Sequence, residues 1–198
     1  MKDPSPKIQK LLVVALKPEW SFLKQHLHFN QDPDLKDLYD IAEHPGAALL
    51  QVGVEVDAAR DNFLRFLERE GCQSVLHFGT SGALPPALKC GDLVSVSSVC
   101  FEGETIVLEN PSTQGGAGQV VGKLFTSRTI LKNKVEKEAA HQQTGAMAVD
   151  MESFPIAKIC RERGIKYSSI RGIFDEVDDD FETLIFGFHM SGDLDVKR

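Results

Sequence analysis

The residues in this chain whose types could do chemistry stand beside its apolar runs. Glu19 lies just past "LLVVAL", Thr80 and Ser81 just past "SVLHFG", and Asp150 and Glu152 at the head of "MESFPIAKICRERG". Asp175 directly follows "IRGIF", with Arg171 inside that run. Carboxylates arriving in one cleft from several elements would suit general acid-base chemistry on a polar substrate. Each also has a plainer reading: Glu19 as an acid in a first helical turn, Thr80 as a turn residue, Glu152 near a helix start, Asp175 as a turn opener. The remaining acids of "RGIFDEVDDDF", Glu176 and Asp178 to Asp180, read as a solvated connection between a strand and a helix.

The elements that must position these side chains show in the switching of hydrophobic period. "KLLVVAL", "AALLQVGV", "SVLHFG", "DLVSVSSVC" and "KYSSIRGIF" read as strands. "PEWSFLKQHL" reads as a helix opened by Pro18, and "DAARDNFLRFLEREG" as one with Ala58, Phe63, Leu64 and Leu67 on its apolar face and Gly71 at its stop. "MESFPIAKICRERG" reads as a helix despite Pro155, "TSGALPPALKCG" as a loop, and "NPSTQGGAGQ" as a Gly-rich loop. This alternation implies a single α/β domain over 1–198, a three-layer sandwich around a central mixed, mostly parallel sheet, with residues 1–8 disordered or irregular. In such sheets ligands bind where strands end at their carboxyl side, which is where the candidate residues fall.

Composition narrows the partners. A chain of 198 residues with 42% hydrophobic content and a net charge of −7 offers no basic stripe, which argues against nucleic acid. The polar start "MKDPSPKIQK" does not read as a secretory signal, and no apolar run approaches the roughly 20 residues a membrane helix needs. The reading is a cytoplasmic protein without membrane association. Cys72, Cys90, Cys100 and Cys160 have no Cys-x-x-Cys spacing and read as buried reduced thiols. His26 and His28 are two residues apart, on different faces of a helix, and so are poor zinc ligands. Asp178, Asp179 and Asp180 are adjacent, where a calcium loop needs alternate acids and a glycine. "GTSGAL" lacks the second glycine of a nucleophile elbow around Ser81, and "GQVVGKL" lacks the hydroxyl residue of a phosphate-binding Walker loop.

Three blocks together resemble the nucleoside phosphorylase family, on the side of its 5′-methylthioadenosine/S-adenosylhomocysteine nucleosidases: "VVALKPEWSFLK", "HFGTSGALPPALKCGDLVSVS" and "GAMAVDMESFPIAKICRERGIKYSSIRGIFDEVD". The resemblance runs from Leu11 to Asp178. It implies hydrolysis of the N-glycosidic bond of a purine nucleoside, without metal or organic cofactor, by a homodimer or larger homo-oligomer. It assigns Glu19 to activating the attacking water, with Thr80 and Arg171 holding that water. Glu152 falls to the ribose 2′ and 3′ hydroxyls, Met151 to the face of the sugar, and Asp175 to N7 of the departing purine. Thr80, Ser81, Gly82, Ile130, Leu131, Asp150 and Phe174 are the other substrate-binding candidates, Ile130 and Leu131 toward the base. Glu19 speaks for hydrolysis, because "LVVALKPEW" shows no phosphate cradle.

The chain also departs from that pattern. Phe174 stands where the family commonly has Ser, Arg128 where an acid is common, and Glu55 where a second glycine is usual. Only 23 residues follow Asp175, and "FETLIFGFHMSGDLDVKR" does not resemble the long amphipathic helix that usually closes the fold, so the domain reads as shortened at its C-terminus. Two further readings stand beside the first. One is a nucleosidase or phosphorylase for another substrate, of futalosine or adenosyl-hopanoid type; the other is a non-catalytic nucleoside-binding homologue.

Overall fold

In the computed structural model, residues 7–109 and 119–180 are described. The C-terminal shortening and the Gly-rich loop at 110–118 lie outside them, as do residues 1–6. The chain runs β1 (Ile8–Val14), α1 (Pro18–Ser21), a 3-10 turn (Phe22–Gln25), β2 (Phe29–Gln31), β3 (Leu38–Ile41), β4 (Ala47–Gln51) and α2 (Val56–Arg69). It continues with β5 (Cys72–Ala83), β6 (Leu93–Phe101), β7 (Glu104–Val107), β8 (Gln119–Thr126), α3 (Lys134–Thr144), β9 (Ala148–Asp150), α4 (Ser153–Glu162) and β10 (Lys166–Asp175).

The ten strands of the described residues form one mixed sheet whose long ladders, β5–β10, β6–β8, β1–β4 and β1–β5, are parallel. The antiparallel pairings β3–β4, β5–β9 and β6–β10 are shorter. β5 is the hinge of the architecture. It pairs with β1 on one edge and with β10 on the other, while its end pairs with β9. Because β10 reaches β6, β6 reaches β8 and β8 reaches β9, these strands close on themselves next to β5.

The run "LLVV" alternates between two dry faces, which is why it reads as continuously apolar. Leu11 and Val13 pack with Ala59, Phe63 and Phe66 of α2 and Ile156, Ile159 and Cys160 of α4. Leu12 and Val14 meet the opposite layer, where Trp20 lies against Phe29 and Tyr39 with ring centroids 5.0 and 4.8 Å apart. Helices α2 and α4 cover one face of the sheet, and α1 with the 3-10 turn after it covers the other, which gives the expected layers.

Several elements differ from their sequence reading. The helix from Pro18 lasts one turn before tightening, and the apolar face of α2 is Val56, Ala59, Phe63 and Phe66, with Ala58 exposed. Pro155 is accommodated because it lies in the first turn of α4, where its missing N–H has no partner to lose. Part of the presumed loops is strand: β5 runs on through Ala83, and β8 begins at Gln119. β2, β3, β7 and α3 carried no reading at all. Cys90 is exposed, because its loop carries it to the surface beside Lys89; the other three thiols are buried. Glu55 keeps the glycine-like turn with φ 84°, a left-handed conformation that costs a β-carbon-bearing residue about 1–2 kcal/mol. Among the described residues no helix is long and apolar enough to cross a membrane.

Candidate active site

Glu19 is fixed by four donors. Its Oε2 accepts the backbone N–H groups of Ala15 and Leu16 at 2.8 and 2.9 Å, just beyond β1. Its Oε1 accepts Thr80 N at 2.8 Å and Thr80 Oγ1 at 3.1 Å, from β5. The neighbouring β5 residue must be glycine: a β-carbon at Gly79 would run into Glu19 Oε1 and come within 2.7 Å of Arg171 Nη1. Glu19 and Arg171 therefore face each other across the space that a Gly79 side chain would fill. Arg171 reaches this point because β10 is parallel to β5, with Arg171 opposite Gly79 and Gly172 opposite Thr80.

Arg171 is wholly buried, and its Nη2 is the hub of a polar network. Asp150 Oδ2 and Ser153 Oγ lie 2.7 Å from it and His77 Nε2 at 2.9 Å. Nε and Nη1 have no acceptor among the described residues. Asp150 ends β9, and all its contacts are internal: Arg171 and Ser153 N at Oδ2, and Thr126 Oγ1 at 2.9 Å on Oδ1. Burial first, then the charge of Arg171, push His77 well below the ordinary histidine range, so its ring is neutral. The tautomer with Nδ1–H donating to the Tyr167 hydroxyl at 3.0 Å leaves Nε2 free to accept from Arg171.

Glu152 stands at the N-cap position of α4 without a side-chain capping bond, and is buried; its hydrogen bond among the described residues is a long one from Met151 N at 3.3 Å. Burial and the nearby charge of Asp150 push its carboxyl up to about 8, although Arg171 pulls the other way. The pKa is thus higher in the folded chain than the 4.5 of the free group, so the stability it contributes is full below about 4.5 and lost as pH rises through about 8. Glu152→Gln, which cannot ionise, should gain on the parent by about 1–4 kcal/mol of unfolding free energy between pH 5 and 8, read from urea melts. Parallel pH profiles for the two proteins would contradict the burial argument.

Asp175 closes β10, after a register shift that sets Phe174 out of the ladder and brings Asp175 opposite Gly82. A β-carbon at Gly82 would stand 3.0 and 3.1 Å from the two carboxylate oxygens, so Gly82 lets Asp175 lie against the strand. Lys137 Nζ of α3 is 2.6 Å from Asp175 Oδ2, and both side chains are buried. With Glu19 and Arg171 at Gly79 and Asp175 at Gly82, the two groups are spaced by about 10 Å along β5.

The other candidates surround this line. Met151 lies half-buried between Asp150 and Glu152, Leu131 packs near Leu84 and Val149, and Ile130 is exposed on the loop before α3. Ser81 is buried, and its hydroxyl has no partner among the described residues. The acids read as a solvated connection are mostly tied down. Glu176 accepts Lys89 Nζ at 2.8 Å and Cys90 N at 3.2 Å, Asp178 pairs with Lys134 at 2.7 Å, and Asp179 accepts Glu176 N at 2.7 Å. Glycine at 79 and the network residues His77, Thr126, Ser153 and Tyr167 carried no sequence expectation, and neither did Lys137. Among the described residues no group of three or more His, Cys, Asp or Glu is placed to hold a metal ion.

No curated protein matches the sequence. A family model described as the Phosphorylase superfamily matches residues 105–190. Among solved structures, the chain is similar to the S. pneumoniae 5′-methylthioadenosine/S-adenosylhomocysteine nucleosidase with a transition-state inhibitor, at 15% identity over 93% of each chain and a TM-score of 0.78. It is similar to the futalosine hydrolase of Helicobacter pylori at 16% identity over 93% of this chain and 92% of that one, TM-score 0.77. The 5′-methylthioadenosine/S-adenosylhomocysteine nucleosidase of the same organism, in complex with a substituted pyrrolidin-3-ol, is 17% identical over 88% of each chain, TM-score 0.73. Over residues 105–190 the chain matches the Phosphorylase superfamily, and its fold is the one that these two nucleosidases and this hydrolase share.

Proposed function

We propose that this protein is a nucleosidase that hydrolyses the N-glycosidic bond of a purine nucleoside, a 5′-substituted adenosine such as methylthioadenosine or S-adenosylhomocysteine. The observation that carries the reading is the Glu19 carboxylate, held by four hydrogen bonds beside the open Nη1 of Arg171. An attacking water fits between a carboxylate that takes its proton and a guanidinium N–H that holds its oxygen. A phosphate does not. It would face Glu19 at close range, and the charge of Arg171 is already balanced by Asp150 at 2.7 Å.

In this reading the water oxygen bonds to C1′ while the C1′–N9 electron pair passes to the base. Glu19 takes the water proton, and Asp175 serves N7 of the base as it leaves. Glu152, largely protonated near neutral pH, can both donate to and accept from the ribose hydroxyls. Asp150 acts through Arg171, whose Nη2 it anchors so that Nη1 points at Glu19. Met151 lies against the sugar, while Thr80, Ser81, Gly82, Ile130, Leu131 and Phe174 border the nucleoside. No step requires a metal or organic cofactor.

The fold likeness to futalosine hydrolase supports a second substrate, a purine nucleoside with a larger 5′ group. Release of free base from methylthioadenosine, measured with and without phosphate, is the test. Phosphate-independent release is expected. An absolute phosphate requirement would make the protein a phosphorylase, and no release from a broad nucleoside panel would make it a binding protein.

A further inference from the structure

Lys137 stands near the start of α3, a polar helix on which a lysine would ordinarily face water, yet it is 1% exposed. Its Nζ lies 2.6 Å from Asp175 Oδ2, 2.6 Å from the Glu176 carbonyl and 3.2 Å from the Asp179 carbonyl. Three ammonium hydrogens meet three acceptors, so the group is saturated and its direction is set. Lys134, one turn earlier, ties Asp178 from outside at 2.7 Å. Holding two carbonyls needs a donor, and a neutral one would do. Burying a charge is costly unless an opposite charge answers it, and here that charge is Asp175.

We propose that Lys137 is a positioning residue for base departure: it fixes the rotamer of Asp175 and cancels its charge, so that the corner receiving the leaving base is neutral. The inference rests on the nucleosidase reading. As the C1′–N9 bond breaks, its electron pair passes to the base, and an unpaired carboxylate against that base would oppose the flow of charge. Lys137 stays protonated throughout. The C1′–O bond forms from water, Glu19 takes the water proton and returns it to solvent, and Asp175 relays one proton from solvent to the leaving base, so nucleoside and water give free base and sugar without a co-reactant.

This account makes Lys137 matter only where the base leaves with excess electron density. An N7-methylated purine nucleoside carries a fixed positive charge on the base and departs without it. Lys137→Met should therefore lower kcat on the ordinary nucleoside by about 10²-fold with little change in KM, and leave the N7-methylated nucleoside within about threefold of the parent. Lys137→Arg should recover part of the loss. An equal fall on both substrates, or no fall on either, would overturn the role of Lys137 while leaving the nucleosidase reading intact. A parent protein inactive on both would remove that reading, and this inference with it. Should Lys137→Met fail to fold, the double variant Lys137→Met/Asp175→Asn, which leaves no unpaired buried charge, is compared with Asp175→Asn. Equal kcat is expected, since Lys137 acts through Asp175; a further fall overturns the proposal.

Discussion

Glu19→Gln is expected to lower turnover by about 10²–10⁴-fold, the range of a positioned general base. The variant keeps most of what holds the side chain. A glutamine carbonyl can still accept Ala15 N and Leu16 N, which bind Oε2 at 2.8 and 2.9 Å. Its amide must then face Thr80 N, a donor, so one hydrogen bond of about 1 kcal/mol is lost and Tm should fall by about 2–4 °C. A large drop in kcat with this small change in Tm separates catalysis from stability. Near-normal turnover in a folded variant would show that Glu19 does not activate the nucleophile.

Asp175→Asn should have a comparable effect for a different reason. The amide can neither relay a proton to the departing purine nitrogen nor answer the charge of Lys137, so kcat should fall by about 10³-fold while binding of substrate stays comparatively intact. The side chain retains its seat, because Gly82 leaves room for either group and the amide oxygen can accept Lys137 Nζ in place of Oδ2. Steady-state kinetics separate the two parameters. A rise in KM with kcat unchanged would place Asp175 in binding alone.

The parts of this site that were legible in the sequence are those that stand at the ends of strongly apolar strands. "LLVVAL" packs against both layers and "IRGIF" buries Arg171 and Ile173, so their boundaries are sharp and the polar residues beyond them, Glu19 and Asp175, are conspicuous. Arg171 could be noticed because an arginine inside an apolar run needs a partner, but its partner could not be named. Asp150 reaches it only because β9 pairs with the end of β5 while β10 pairs along the length of β5.

Lys137 was hidden by the failure to see α3. That helix carries good terminal signals: Asn133 accepts Glu136 N at 3.1 Å, and Gly145 takes the left-handed cap. It has almost no apolar stripe, since its buried positions are Lys137 and Ala140, and hydrophobic period is blind to a lysine facing inward. Gly79 was hidden for another reason. A glycine at a strand end is ordinary, and only the meeting of Glu19 and Arg171 at its missing side chain shows why no larger residue fits. The strands β2, β3 and β7 are short and mixed in polarity, and so they carried little pattern.

The central claim is that a water held between Glu19 and Arg171 cleaves a purine nucleoside. It is tested most directly by incubating the protein with 5′-methylthioadenosine in phosphate-free buffer and following adenine and the reducing sugar together. Equimolar adenine and free methylthioribose, at a rate unchanged by added phosphate, is the result expected. Adenine release only when phosphate is present, with the sugar recovered as its 1-phosphate, would contradict it.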